Sequence, residues 1–197
     1  DGEASGALMS TYFRDPVIVA GVVRNVVGKN ADYNGAAWNA IQNAIRATDM
    51  PVGIKNNILG EYWEQVNLQM FRNGARPDLE DVVPQMKVAI SGQVKTARLD
   101  AGLIHRIDPI NNRVEISFEE YKVGQQEDRA LLRHAQREVY DRIMNGRLDE
   151  LHVVLPDHIL RRLTGPGPIQ IVIRPGQQGI RVVKPAPVPA SDEPNTP

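Results

Sequence analysis

The stretch that decides the fold is residues 99–118, which read LDAGLIHRIDPINNRVEISF. Within residues 113–118 apolar and polar side chains alternate, a period of two that predicts a strand with one buried face. The turn-forming residues 109–112 separate this strand from an apolar run at 99–108. The pattern therefore predicts a β-hairpin in the middle of the chain.

Upstream of this hairpin, apolar residues recur at helical spacing. Asp15-Pro16 is typical of a helix start, and the valine-rich segment after it is interpreted as a first helix. A second helix is predicted after Asn34, and a third over residues 54–70, where apolar residues step by four. A short fourth helix is predicted from Asp78, with Pro84 ending or kinking it.

Downstream of the hairpin, residues 126–145 have one apolar face and are predicted to form a single long amphipathic helix. Residues 151–155 are interpreted as a short strand, followed by a short helix over 157–163. Two β-branched runs at 169–174 and 180–184 are separated by PGQQG, which favours a second hairpin.

These elements predict an α+β protein in three parts. Residues 1–90 are expected to be helical, and residues 93–184 to form a small mixed α/β region with two β-hairpins. Residues 185–197 contain five prolines with Ser, Asp, Glu, Asn and Thr, a composition typical of a disordered tail.

The composition is that of an ordinary soluble domain: 42% of the 197 residues are hydrophobic and 24% are charged. The chain has no cysteine, which excludes disulfides, thiolate metal sites and cysteine nucleophiles. No apolar run approaches the roughly 18–20 residues needed to span a bilayer, and no basic segment typical of a signal peptide precedes the longest one. We therefore expect a soluble protein, cytoplasmic or within a large assembly.

Two glycine-containing segments were considered as phosphate loops. Gly21 and Gly28-Lys29 are separated by six residues instead of four, and Asn30 stands where a magnesium-ligating Ser or Thr is required. In residues 165–168, GPGP, two prolines remove the N–H groups that would hold a phosphate. We interpret the first as a helix end and the second as a turn or linker, and expect no cofactor.

The titratable residues form no recognisable catalytic or metal motif. The four histidines lack a helical pair spacing; His152, His158 and Asp157 could approach one another, but chance proximity is the preferred interpretation. Glu61 and Glu64 share one helix without an evident partner. Adjacent carboxylates are interpreted as solvated charges: Glu80-Asp81, Glu119-Glu120, Glu127-Asp128 and Asp149-Glu150. We expect no catalytic and no metal-binding residue.

Positive charge is concentrated in residues 121–184, which hold eleven Lys or Arg and seven Asp or Glu, a net charge of +4. This is a mild bias, well below that of a dedicated nucleic-acid-binding protein, and ion pairs on a solvated face are the preferred interpretation. The residues that would contact phosphates in a nucleic-acid-associated module are Arg129, Arg133, Arg137, Arg161, Arg162, Arg174, Arg181 and Lys184.

The leading hypothesis for the function is a non-enzymatic structural or assembly subunit, such as a component of a viral particle, that acts by protein contacts or self-association. It depends mainly on the absence of a recognisable catalytic, metal-binding or phosphate-binding motif in the sequence. A second support is the terminal β segment, whose strand edges a neighbouring chain could extend. A nucleic-acid-associated module and an enzyme with a dispersed site are the alternatives. The predicted interface residues are Trp63, Ile169, Ile171, Ile173, Ile180 and Val182.

Overall fold

The architecture was determined from a computed structural model, which describes residues 15–27 and 38–186. Its centre is a meander of three antiparallel strands, β1 (Asp81–Ile90), β2 (Ala97–Asp108) and β3 (Arg113–Tyr121). As the alternating pattern predicts, β2 and β3 are antiparallel neighbours, joined by residues 109–112. Helices and a mixed sheet together make the protein α+β.

A β-bulge interrupts the pairing of β2 with β3. Ile104 pairs with Ile116 and Arg106 with Glu115, so His105 is the extra residue. The bulge places Ile104 and Ile107 in the same core although they are three residues apart, a spacing that would put them on opposite faces of a regular strand.

Within the described residues, six strands form the sheet. Strand β4 (Leu151–Val154) pairs antiparallel with β1, while β5 (Gln170–Ile173) and β6 (Ile180–Val183) pair parallel with β3. The main path through the sheet is therefore β4-β1-β2-β3-β5, with β6 continuing the β5 edge along β3.

The predicted second hairpin is wrong, because β5 and β6 pair with successive parts of β3 instead of with each other. Between β5 and β6 the chain makes one 3₁₀ turn, Gly176–Gln178, and then runs along β3 again as β6. Gly179 permits this close return, since a Cβ there would lie 1.8 Å from the carbonyl oxygen of Arg174. The amide of Phe118 then donates to the carbonyl of Gly179, which keeps the chain on β3.

The first three helices predicted upstream of the hairpin are present. Helices α1 (Pro16–Val27), α2 (Trp38–Arg46) and α3 (Val52–Arg72) pack around a shared apolar cluster that contains Trp38 and Tyr62. The side chain of Asp15 accepts a hydrogen bond from the amide of Val17 and caps α1. The capping residue expected for the second helix, Asn34, lies outside the described residues.

The helix predicted from Asp78 is wrong, because these residues lead into strand β1. Val83, Met86, Val88 and Ile90 of β1 are buried in the larger core. Pro84 is tolerated because β4 pairs only with residues 87–90 of β1 and does not extend to position 84. On the β4 side of Pro84 there is thus no strand that would need a backbone N–H from this position. Gln85, the next residue, has a φ of 52°.

The long helix predicted over residues 126–145 is divided into α4 (Asp128–Leu131) and α5 (His134–Met144). Leu132 and Arg133 between them are extended, and the turn buries Leu132 to 2% exposure. The guanidinium of Arg137 donates to the carbonyls of Arg129 and Leu132, which satisfies backbone groups that the interruption frees. The apolar period extends across the break, so periodicity alone did not reveal it.

The sheet lies between helices. Val139 and Ile143 of α5 pack on the larger core, and Leu68 of α3 packs against Ala101, Leu103 and Tyr121. Leu103 and Ile104 are neighbours on one strand and therefore face opposite sides, which puts α3 and α5 on opposite faces. The predicted short helix is α6 (Asp157–Leu160), and residues 187–197 of the predicted tail lie outside the described residues. Within the described ranges no helix is long and apolar enough to cross a membrane.

Candidate functional site

The predicted interface residues are mostly part of the interior. Ile173, Ile180 and Val182 are buried and Ile171 is half-buried, because β5 and β6 are covered on one face by the larger core or by α3. Trp63 is also half-buried, and its indole N–H donates to the carbonyl of Val183 at 2.9 Å. Only Ile169, at 46% exposure, keeps a large apolar surface in water.

Two loops meet at the end of the sheet where Ile169 lies. Asn112, at 3% exposure and with a φ of 48°, accepts a hydrogen bond from the amide of Gly165 and donates to the carbonyls of Gly165 and Gly167. These three bonds lie between 2.6 and 2.8 Å. Gly165 fits tightly, since a Cβ there would lie 2.1 Å from the carbonyl oxygen of Ile110.

The junction of these loops exposes an apolar surface, which we call the apolar tip. Ile110 is 79% exposed and Ile169 46% exposed, beside the exposed prolines of both loops. The residues of the apolar tip are Pro109, Ile110, Pro166, Pro168 and Ile169. Because Asn112 ties the backbones of both loops together, the main chain that carries these exposed side chains is held in place.

A charged groove adjoins the apolar tip. It is lined by Arg106, Asp108, Arg113 and Glu115, two cations and two carboxylates, from the ends of β2 and β3. The carboxylate of Asp108 accepts hydrogen bonds from the amide and side chain of Asn111, and these bonds lower its pKa. The groove is thus charge-balanced and rigid on its acidic side.

The arginines predicted for nucleic-acid contact lie at different places and are mostly engaged. Arg129 pairs with Asp141, Arg162 with Glu80, and Lys184 with Asp128. Arg137 holds backbone carbonyls, as described above, and lines one cleft with Arg129, while Arg133 lines another. Arg161 is exposed and makes no ion pair among the described residues. The remaining two, Arg174 and Arg181, lie together in a third cleft.

This third cleft, the arginine cleft, has a volume of about 670 Å³. Strands β2 and β3 supply its floor, β5 and β6 supply one wall with Arg174 and Arg181, and Arg76 reaches it from the segment after α3. On the floor, Nε2 of His105 lies 2.6 Å from Oγ of Ser117. Neither this pair nor Arg76 was among the site residues predicted from the sequence.

The electrostatics of the arginine cleft keep His105 neutral. Burial lowers the pKa of His105, and the positive charge of Arg174 lowers it further. Arg174 itself is oriented by a 2.7 Å hydrogen bond from its Nε to Glu115, which lowers the pKa of that carboxyl. Arg181 is exposed and makes no ion pair with any residue that the structure describes.

The other histidines do not form the arrangement considered from the sequence. Nε2 of His152 lies 2.9 Å from Oγ of Ser91, whereas Nε2 of His158 lies 2.8 Å from Asp81. His152 and His158 therefore have separate partners. Within residues 15–27 and 38–186, no group of three or more His, Asp or Glu side chains is arranged to hold a metal ion.

A second cluster consists of carboxyl groups between α3 and the sheet, which we call the acid cluster: Glu61, Glu64, Asp100 and Glu120. Glu120 is fully buried, and its Oε1 accepts a hydrogen bond from the amide of Asp100. The amide of Gln85 bridges the cluster, donating to Glu64 at 2.6 Å and to Asp100 at 3.4 Å. Glu119 and Glu120 were expected to be solvated, which is wrong, since both are buried.

Burial governs the protonation of the acid cluster. It raises the pKa of Glu64 to about 8, with Asp100 as the second cause, and it raises the pKa of Glu61 and Asp100. The pKa of Glu120 is raised well above its ordinary value by burial and by Asp100, although Lys122 lies 3.8 Å from its Oε2. At neutral pH the cluster therefore retains protons.

Comparison with known proteins gives no relative: no protein-family model, no curated protein and no solved structure matches the chain. The argument for a function therefore depends on the geometry of these sites alone.

Proposed function

We propose that the chain is a non-enzymatic assembly subunit that associates with a second copy of itself through the apolar tip. The observation that carries the proposal is the rigid exposure of Ile110 and Ile169 by the hydrogen bonds of Asn112. A surface that is already ordered loses little conformational entropy when it binds, so more of its contact energy is available for association. Exposed isoleucines on a rigid support thus favour a protein contact over a solvated turn.

The adjoining charged groove supports a second copy as the partner. In a symmetric dimer the same surface of both copies meets itself and must be self-complementary. The groove carries both signs of charge, so a cation of one copy can face Asp108 of the other, while Glu115 is already paired with Arg174. A surface with one sign of charge would repel its own copy.

The test is self-association measured by light scattering on the full chain from micromolar to millimolar concentration. We expect a concentration-dependent dimer in the natural chain. Burying an isoleucine contributes about 1.5–3 kcal/mol, and a symmetric dimer contains the residue twice. Ile110→Ser should therefore raise the dissociation constant at least about a hundredfold.

The matched control is Val94→Ser. Val94 is fully exposed in the β1–β2 connection, away from the apolar tip, so its substitution should leave the dissociation constant unchanged. A natural chain that stays monomeric at millimolar concentration would contradict the proposal, as would an equal effect of the two variants.

A further inference from the structure

The arginine cleft contains polar groups that the proposed assembly does not use. Its floor holds the His105–Ser117 pair, and cationic side chains approach from two sides, Arg174 and Arg181 from the β5–β6 edge and Arg76 from beyond α3. Ser117 is 4% exposed but lines the cleft, and its hydroxyl is hydrogen-bonded to the imidazole. The arrangement is independent of the apolar tip.

The bulge in β2 creates this arrangement. His105 is the additional residue between the pairs Ile104–Ile116 and Arg106–Glu115, and the bulge directs its imidazole to Ser117, two residues along β3 from Glu115. Bulges are frequent beside functional sites because they redirect one side chain without disturbing the ladder on either side.

The charges in the cleft leave positive groups available. Three arginines face two carboxylates in its lining: Glu115, which pairs with Arg174, and Glu119, which is 6% exposed, accepts a 3.2 Å hydrogen bond from the hydroxyl of Tyr121 and stands opposite Arg181 in the β3–β6 register. Arg76 is held by Asp78 at 3.2 Å through its Nε, as Arg174 is held by Glu115. These contacts orient two of the guanidinium groups, whereas Arg181 makes no ion pair with a described residue.

We propose that the arginine cleft binds the phosphate group of a small molecule, with Arg174 and Arg181 as the charged donors and Ser117 as a neutral donor. Guanidinium groups are suited to phosphate because their parallel N–H groups match two of its oxygens. When His105 is neutral, its Nε2 either accepts a hydrogen bond from the Ser117 hydroxyl or carries the proton and donates a hydrogen bond to Oγ. In the tautomer whose Nε2 carries the proton, the Ser117 hydroxyl is free to donate to the ligand. The volume of about 670 Å³ lies within the usual range of small-molecule pockets.

The experiment is an NMR titration of the full chain, following the imidazole signals of the four histidines, with inorganic phosphate and separately with phenyl phosphate at low ionic strength. We expect saturable shifts at His105 and a higher apparent pKa for its imidazole when the ligand is bound, because a bound anion favours imidazolium. Tighter binding of phenyl phosphate would identify a monoester site, and equal binding a site for the free ion; either outcome supports the phosphate site.

Matched arginine variants separate the cleft from general surface charge. Arg181→Gln should weaken binding at least tenfold, whereas Arg161→Gln, which also removes an exposed arginine without an ion pair, should leave it unchanged. Shifts that never saturate, that occur equally at His134, His152 and His158, or that are the same in both variants would overturn the proposal. Since the dimer test uses Ile110, the two proposals can fail separately.

Discussion

Asn112 shows how much structure one side chain determines. The left-handed backbone at this position disfavours most residues, and asparagine is among the few that adopt it readily. Its amide then makes three hydrogen bonds to a loop more than fifty residues away in sequence. The same residue therefore ends the β2–β3 turn and fixes the loop that carries Ile169.

We predict that Asn112→Ala lowers the free energy of unfolding by about 3 kcal/mol, since it removes three hydrogen bonds and retains a side chain in a left-handed backbone. Asn112→Gly should cost about 1 kcal/mol less, because glycine accepts the backbone conformation. Urea unfolding measures both. Asn111→Ala, which removes an exposed contact with Asp108, is the control and should cost under about 1 kcal/mol; equal losses at positions 111 and 112 would contradict the prediction.

At the residue scale, single residues of both sites were predicted from the sequence: Ile169 of the apolar tip, and Arg174 and Arg181 of the arginine cleft. The exposure of Ile169 follows from its place beside prolines and glycines, where a side chain has few neighbours. The His105–Ser117 contact could not be predicted, because a regular hairpin with Asp108 opposite Arg113 would place His105 opposite Ile116. The bulge shifts that register by one residue, and no residue type in β2 marks it.

At the scale of elements, helix α3 contributes to both the helical cluster and the acid cluster. Tyr62 and Val66 face the helical cluster, while Glu61 and Glu64 line a cleft toward Asp100 of β2. Burial against the sheet, and not a motif in the helix, gives Glu64 its raised pKa. The Glu61–Glu64 spacing alone could not identify the partners, because Asp100 and Glu120 come from strands far along the chain.

We predict that Glu64 makes folding less favourable as the pH rises. The pKa of Glu64 is about 8 in the folded protein, against an ordinary value of 4.5. The stabilisation that the protonated carboxyl gives the folded state is therefore fully present below about pH 4.5 and is lost as the pH rises through about 8. Glu64→Gln should remove this loss. The difference in free energy of unfolding between the variant and the natural chain should therefore change by about 1 kcal/mol or more, in favour of the variant, when the pH is raised from about 5 to about 9.

Urea unfolding at both pH values checks this prediction. Glu127→Gln, which removes an exposed carboxylate at the start of α4, is the matched control and should follow the natural chain. If the difference between Glu64→Gln and the natural chain were constant with pH, Glu64 would not be the group that loses its proton.

Most helices and strands follow from local patterns, but their pairing does not. The apolar runs at 169–174 and 180–184 do become β5 and β6, and the glycine-containing connection between them is typical of a hairpin. The chain instead follows β3, where each segment gains a full set of parallel hydrogen bonds beside a buried strand. Whether β5 pairs with its neighbour β6 or with the distant strand β3 is decided by tertiary packing, and the hydrophobic periodicity of the sequence carries no information about that packing.

At the scale of the whole molecule, the helical layer and the sheet are joined by specific contacts. Leu68 of α3 packs against the sheet residues Ala101 and Leu103, and the indole of Trp63 donates to the carbonyl that ends β6. Trp63 also lies 5.1 Å from Trp38 between ring centroids, so one residue links the helical cluster to the sheet edge. The helical layer is thus attached at both the middle and the edge of the sheet.

We predict a single cooperative unfolding transition. The two tryptophans report on the helical layer, and the amides of β2 and β3 report on the sheet. Fluorescence and NMR amide intensities should therefore give the same urea midpoint. Trp63→Phe should lower both midpoints together, by about 1 kcal/mol of free energy, because it removes the indole hydrogen bond to the Val183 carbonyl, which then keeps only the amide of Lys122. Two separate midpoints would instead show that the layers unfold independently.

The tandem arrangement of β5 and β6 has a consequence for the order of folding. The β1–β2–β3 meander requires only short loop closures, whereas β3 and β5 can meet only after a segment of about fifty residues has closed. The entropy of that closure delays the contact, so the meander is expected to form early and the β5–β6 edge late. The loops that Asn112 holds together would then join in the last step, and self-association through the apolar tip would begin only once folding is complete.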